Sequence, residues 1–158
     1  MITVTSNIKE VLQAQLDKIR ELKNNPNPIM RTVALTVLPE MRRRIHVDGK
    51  DSSGNAIGTY SPGYMRMRTG KSKTGPRHNR TSDPKVILSL TRQMENDMVV
   101  VPTPRGYGIG YNNPLNFKKA GWNEETYKKK ILTKLTDQEL ELAVTTAQEF
   151  TPEYLKTL

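Results

Sequence analysis

The stretch Lys85–Tyr111, KVILSLTRQMENDMVVVPTPRGYGIGY, decides the fold. Leu88, Leu90, Met94 and Met98 recur near a helical period, and then the period changes. Val99 and Val101 alternate with Met98 and Val100, Pro102-Thr103-Pro104-Arg105-Gly106 interrupts the run, and Tyr107, Ile109 and Tyr111 return at period two. This pattern predicts a short helix feeding a β-hairpin. Gly108 and Gly110 leave one face of the returning strand bare, so close packing against its backbone is expected. No acid, base or nucleophile cluster decorates the unit, which reads as a device for holding shape.

Upstream of it, residues 7 to 24 form an amphipathic pattern. Asn7 and Glu10 stand at capping-box spacing, and Ile8, Val11, Leu12, Leu16, Ile19 and Leu22 share one face. Asn24-Asn25-Pro26-Asn27 stops that helix. A second starts at Asn27-Pro28 and carries Ile29, Val33, Ala34, Val37, Met41 and Ile45 on one face. Pro39 lies inside it and predicts a kink or break near Leu38. Arg42, Arg43 and Arg44 then read as a solvated last turn complementing the helix dipole.

From His46 to Pro84 the apolar period disappears. VDGKDSSGNAIGTYSPGY reads as turns with a short strand at residues 57–60. Arg66, Arg68, Lys71, Lys73, Arg77 and Arg80 follow, opposed only by Asp83. Residues 47–84 are therefore expected to be an extended basic arm, mobile alone and ordered by a partner.

Downstream of the hairpin, LNFKKAGW predicts a helix in which the single Trp122 joins the core. Glu124-Glu125 reads as solvated, and Tyr127–Lys134 as a short strand burying Ile131. Thr136 and Glu139 form a second capping box, opening a last helix whose apolar face is Leu140, Ala143, Val144, Ala147 and Phe150. The fold expected is α+β in a single domain over 1–158: a helical part to residue 46, the basic arm, then hairpin and C-terminal helix. Trp122, Ile109, Leu90, Val144 and Ile131 are expected to be buried together.

Composition narrows the function. The chain has 158 residues, no cysteine and a formal charge of +9. Disulfides and thiolate metal sites are excluded, no membrane-length apolar run or signal-peptide pattern is seen, and the charge is compatible with an anionic partner. The TGKS string at Thr69–Ser72 lacks phosphate-loop spacing, because six residues rather than four separate Gly63 from Gly70. His46, Asp48 and Ser52 lie in one turn-rich segment that says nothing of nucleophile geometry, and His78 stands apart from any carboxylate set. The chain is expected not to be an enzyme and to use no cofactor or metal. The remaining chemical signal is cationic: Tyr60, Tyr64 and Tyr107 beside basic residues suit bases and phosphates without sequence readout.

Several segments together resemble the tail-completion, or virion morphogenesis, proteins of tailed bacteriophages, the Mu-like family. They are RRRIHVDGKDSSGNAIGTYS, VILSLTRQMENDMVVVP, GYGIGY and WNEETYKKKILTKLTDQEL, in that order, within residues 28 to 155. Arg92 departs from the pattern, standing where many relatives carry Gly after Leu-Thr. The resemblance implies a non-enzymatic virion protein, assembled in the host cytoplasm, forming a six- or twelve-fold ring at the head–tail connection. Its partners would be its own copies and neighbouring portal, connector or tail proteins, with no membrane and with non-specific DNA phosphate contact as an option. The alternative is a basic nucleic-acid-binding protein; a small hydrolase is the weaker third.

Charge suggests how copies would meet. Residues 41 to 85 hold eleven Lys/Arg against three Asp/Glu, and residues 136 to 158 hold five acids. Opposite charge on two different surfaces favours head-to-tail contact. The expected interface is therefore Tyr64, Met65, Arg66, Met67, Arg68, Lys71, Lys73, Arg77 and Arg80 of one copy against Glu139, Glu141 and Glu149 of the next.

Overall fold

The computed structural model describes residues 8–24, 27–71, 82–104 and 106–157. Its elements are α1 (Ile8–Asn24), α2 (Asn27–His46), α3 (Pro62–Arg68), α4 (Gln93–Asp97), β1 (Met98–Thr103), β2 (Gly106–Tyr111), α5 (Pro114–Tyr127) and α6 (Asp137–Thr157). Helices around one antiparallel two-stranded sheet make the chain α+β.

The hairpin takes the register its period implies, with Met98 opposite Tyr111, Val100 opposite Ile109 and Thr103 opposite Gly106. Gly110 is buried, and a Cβ there would stand 3.1 Å from Val101 Cγ2, so the bare face is filled from the neighbouring strand. The helix feeding the hairpin is shorter than the apolar spacing suggested. Only residues 93–97 are helical, and Leu88 and Arg92 take left-handed backbone angles, with φ +43° and +62°.

A two-stranded sheet is marginal alone. Here α2 lies across both strands and along α6. It buries Ala34, Val37, Met41 and Ile45, which recur every three or four residues. Met41 and Ile45 meet Ile57, Val86, Met98 and Ile131 in the central cluster. Leu38, Leu88, Ile109, Tyr111 and Leu132 pack around it. The expected break near Leu38 does not occur, and α2 is helical through Pro39. Pro39 and Leu35, whose carbonyl loses its usual donor, are both exposed, so water can serve that acceptor.

Residues 47–71 are not an extended arm. Ile57 sits in the core, and one bridge pairs Thr59 with Lys85. Gly49 has φ +62°, and a Cβ there would meet the Val86 carbonyl oxygen at 2.4 Å. Only glycine lets the loop close on that segment. Ser61 then caps α3 by accepting from the Tyr64 N–H at 3.2 Å.

The expected strand at 127–134 is also absent. Tyr127 ends α5, Lys128 takes a left-handed angle as its C-cap, and the chain turns to Thr136. Glu124 organises that turn. Its Oε1 accepts from the backbone N–H groups of Ile131, Leu132 and Thr133 at 2.8, 2.7 and 3.0 Å. The residue read as solvated is thus the hub that delivers Ile131 to the core.

Candidate functional site

The buried cluster expected from periodicity divides. Ile131 is fully buried and Ile109 packs on the core, whereas Trp122 is 54 % exposed and Val144 49 %. Leu90 is half-buried. The reason is geometric: α5 buries Asn116 and Ala120, which leaves Leu115 and Trp122 facing outward.

Three helices therefore present uncovered apolar side chains. On α1 these are Val11, Leu12, Leu16 and Ile19, each about half exposed. On α6 they are Leu140, Val144 and Phe150. On α5 they are Leu115, Phe117 and Trp122. Within the chain, Lys18 Nζ ties α1 to the far end of α6 by donating to the Leu155 carbonyl at 3.1 Å. Beside the α6 stripe runs an apolar groove of about 410 Å³, walled by Val33 and Val37 of α2, Ile109 of β2, and Ala143 and Ala147 of α6.

Helix spacing gives the two stripes opposite edges. Arg20 and Lys23 follow Leu16 and Ile19 by four residues, so cations flank the α1 stripe. Asp137 and Glu141 precede Leu140 and Val144 by three residues, so carboxylates flank the α6 stripe. Arg20 and Asp17 already form an exposed pair at 3.0 Å, which leaves Lys23 the more available of the two cations.

The residues expected at the interface separate sharply. Glu139 is unavailable: it is 4 % exposed, and its Oε1 accepts from Arg44 Nε at 2.7 Å. Its Oε2 accepts from the Thr136 N–H while the Thr136 hydroxyl accepts from the Glu139 N–H, which completes the capping box. Arg44 donates further to the carbonyls of Lys50 and Ile131, both at 3.0 Å. Arg42 reaches the Met98 carbonyl at 2.6 Å. Of the arginine triplet only Arg43 is the solvated cation expected, paired with Glu40 and Asp48. Glu141 and Glu149 are exposed, as their proposed role requires.

On the basic side, Arg66 and Lys71 are exposed, and Tyr64, Met65 and Met67 are half-buried on α3. Arg68 is 1 % exposed, its guanidinium 4.6 Å from the Tyr60 ring centre and 5.8 Å from that of Tyr64. Lys73, Arg77 and Arg80 lie outside the described residues, as do Asn7 and His78.

Among the described residues no metal-holding group forms around His46. It is buried, and burial holds its pKa below the usual value against the raising effects of Glu95 and the Ile87 and Leu88 backbone. Among the described residues no group of three or more His, Asp or Glu could hold a metal, and no helix is long and apolar enough to cross a membrane.

Period counting finds each apolar stripe but not its cover. The uncovered stripes, the Arg44–Glu139 pair and the Glu124 hub all depend on where other elements land. Compared with protein-family models, curated proteins and solved structures, the chain matches none.

Proposed function

We propose that the protein is a structural subunit that assembles head-to-tail into a closed ring, at the head–tail connection of a tailed bacteriophage. The carrying observation is the pair of uncovered apolar stripes on α1 and α6, one edged by cations and one by carboxylates. Apolar faces of this extent on one chain mark protein interaction surfaces. Two different surfaces that complement each other make a heterologous contact, which closes into a ring when the rotation per copy divides a full turn. The occupant of each α6 stripe is the α1 stripe of the next copy.

The phage setting comes from the resemblance of residues 28–155 alone. Arg92, the departure from it, stands where many relatives carry Gly and adopts φ +62°, an angle that favours glycine. This reading revises the expected interface on both sides: Asp137 joins Glu141 in place of the buried Glu139, and the α1 stripe with Arg20 and Lys23 takes the place of the basic set from Tyr64 to Arg80.

Mass in solution tests the assembly. Light scattering with negative-stain imaging should find closed rings, and Leu12→Asp with Leu16→Asp should give a folded monomer. A monomeric wild type at high concentration and low salt, alone and with tail or portal proteins, would overturn the reading.

A further inference from the structure

A second cavity, of about 420 Å³, lies on the side of the molecule formed by α3, the 88–92 turn, α4 and α5. Tyr60, Tyr64, Arg68, Arg92, Lys119 and Tyr127 are among its lining residues. Its chemistry is unbalanced. Arg68 is almost wholly buried and has no carboxylate partner among the described residues. Its Nη2 donates to the Ser89 carbonyl at 2.8 Å, but Nε and Nη1 meet no hydrogen-bond partner. Buried polar groups are nearly always paired, and a buried guanidinium is costly unless an anion faces it. The faces of Tyr60 and Tyr64 offset part of that cost and satisfy neither N–H.

Two further cations line the same space. Lys119 Nζ donates to the neutral Gln93 Oε1 at 3.2 Å, so its charge is unmatched there. Arg92 has one acid near it, Glu95, at 4.0 Å, and Glu95 also accepts from the Ser89 hydroxyl at 2.9 Å. Among the described residues no acidic side chain lines the cavity itself. Three cations from three separate elements therefore converge on a space walled by tyrosine rings.

We propose that this cavity is a phosphate-binding site, taking the phosphate of a nucleotide or of a nucleic-acid strand. A planar carboxylate is satisfied by a single guanidinium fork, whereas a phosphate presents oxygens on several sides, and a terminal phosphate also carries the larger charge. Tyr64 and Tyr127 offer flat walls on which an attached base can stack. This inference does not rest on the ring assembly, and either can fail alone.

The test is calorimetric titration of the full chain with inorganic phosphate, adenosine monophosphate and a short single-stranded oligonucleotide, with acetate as competitor. Saturable binding of phosphate or either phosphate-bearing probe is expected. Arg92→Gly with Lys119→Gln, both at the cavity and outside the core, should weaken it at least about tenfold with no loss of melting temperature. Binding of the mononucleotide identifies a free nucleotide as the source, and binding of the strand alone identifies nucleic acid. Absence of binding by all three probes overturns the proposal. So does indifference to the double substitution, or competition by acetate at concentrations equal to phosphate.

Discussion

At the scale of single residues, one carboxylate, one imidazole and one backbone angle carry more than their neighbours. Burial alone would raise the pKa of Glu124, but the N–H groups of Thr133, Leu132 and Ile131 hold it below the usual carboxylate value. A depressed folded-state pKa stabilises above the unfolded value of about 4.3, and that contribution is lost as pH falls through the folded value. His46 acts in a higher window. Burial lowers its folded pKa, so the unfolded state binds the extra proton and stability falls as pH drops below about 6.5. Urea melts from pH 8 to pH 3 should therefore show two successive losses. Glu124→Gln should remove the lower one and cost about 2 kcal/mol at neutral pH; an unchanged profile would refute the hub. At Arg92, relieving a left-handed angle is worth about 1 kcal/mol, offset in part by the entropy of the unfolded glycine. Arg92→Gly should thus melt at or above the wild type and Arg92→Val clearly below it. The reverse order would show that the turn does not hold φ +62°.

At the scale of elements, what was legible followed local rules. The hairpin, the Thr136–Glu139 capping box and the apolar face of α2 each depend on residues within one or two turns. What was not legible needed a partner far away in the chain. Arg44 looked like one of three solvated cations because nothing near it in sequence marks Glu139, 95 residues on, as its counter-ion. Trp122 looked like core because its size argues for burial, yet the smaller Ala120 faces inward. Residues 47–71 looked like an arm because turns without apolar period resemble disorder, although Ile57 and Gly49 fix them to the core. The Arg44–Glu139 link also yields a sharp expectation, since it joins α2 to α6 through a buried pair with every Glu139 oxygen engaged. Glu139→Ala strands the guanidinium and should cost about 3–5 kcal/mol. Arg44→Met combined with Glu139→Leu should recover a large part of that loss, because an apolar pair of similar volume carries no buried charge. If the double variant is less stable than Glu139→Ala, the link is worth more than its charges, and the Lys50 and Ile131 carbonyls depend on Arg44.

At the scale of the whole molecule, the question is why one small core leaves three helix faces uncovered. The described chain closes its centre around Met41, Ile45, Ile57, Val86, Met98 and Ile131, and α1 touches that body only at its edge. The turns of α1 before Lys18, its tie to α6, span about 15 Å. In the proposed ring, docking the α1 stripe on α6 of the next copy would bury apolar surface on both and bring Lys23 and Arg20 near Asp137 and Glu141. Those exposed pairs contribute only about 0–1 kcal/mol each, so they set direction while the apolar residues supply the affinity. The absence of cysteine makes this directly testable, because an introduced pair has no competitor. Leu16→Cys on one population and Val144→Cys on another should form a mixed disulfide under mild oxidation, and neither population alone should dimerise efficiently. A chain carrying both should give a ladder ending in one closed species. High salt should slow the reaction by weakening the charged edges, but not abolish it. Equal cross-linking of Leu16→Cys to itself would indicate a two-fold contact in place of a ring. Failure of the mixed pair, with rings still seen by imaging, would place the subunit contact on the remaining uncovered face, Leu115 and Trp122 of α5.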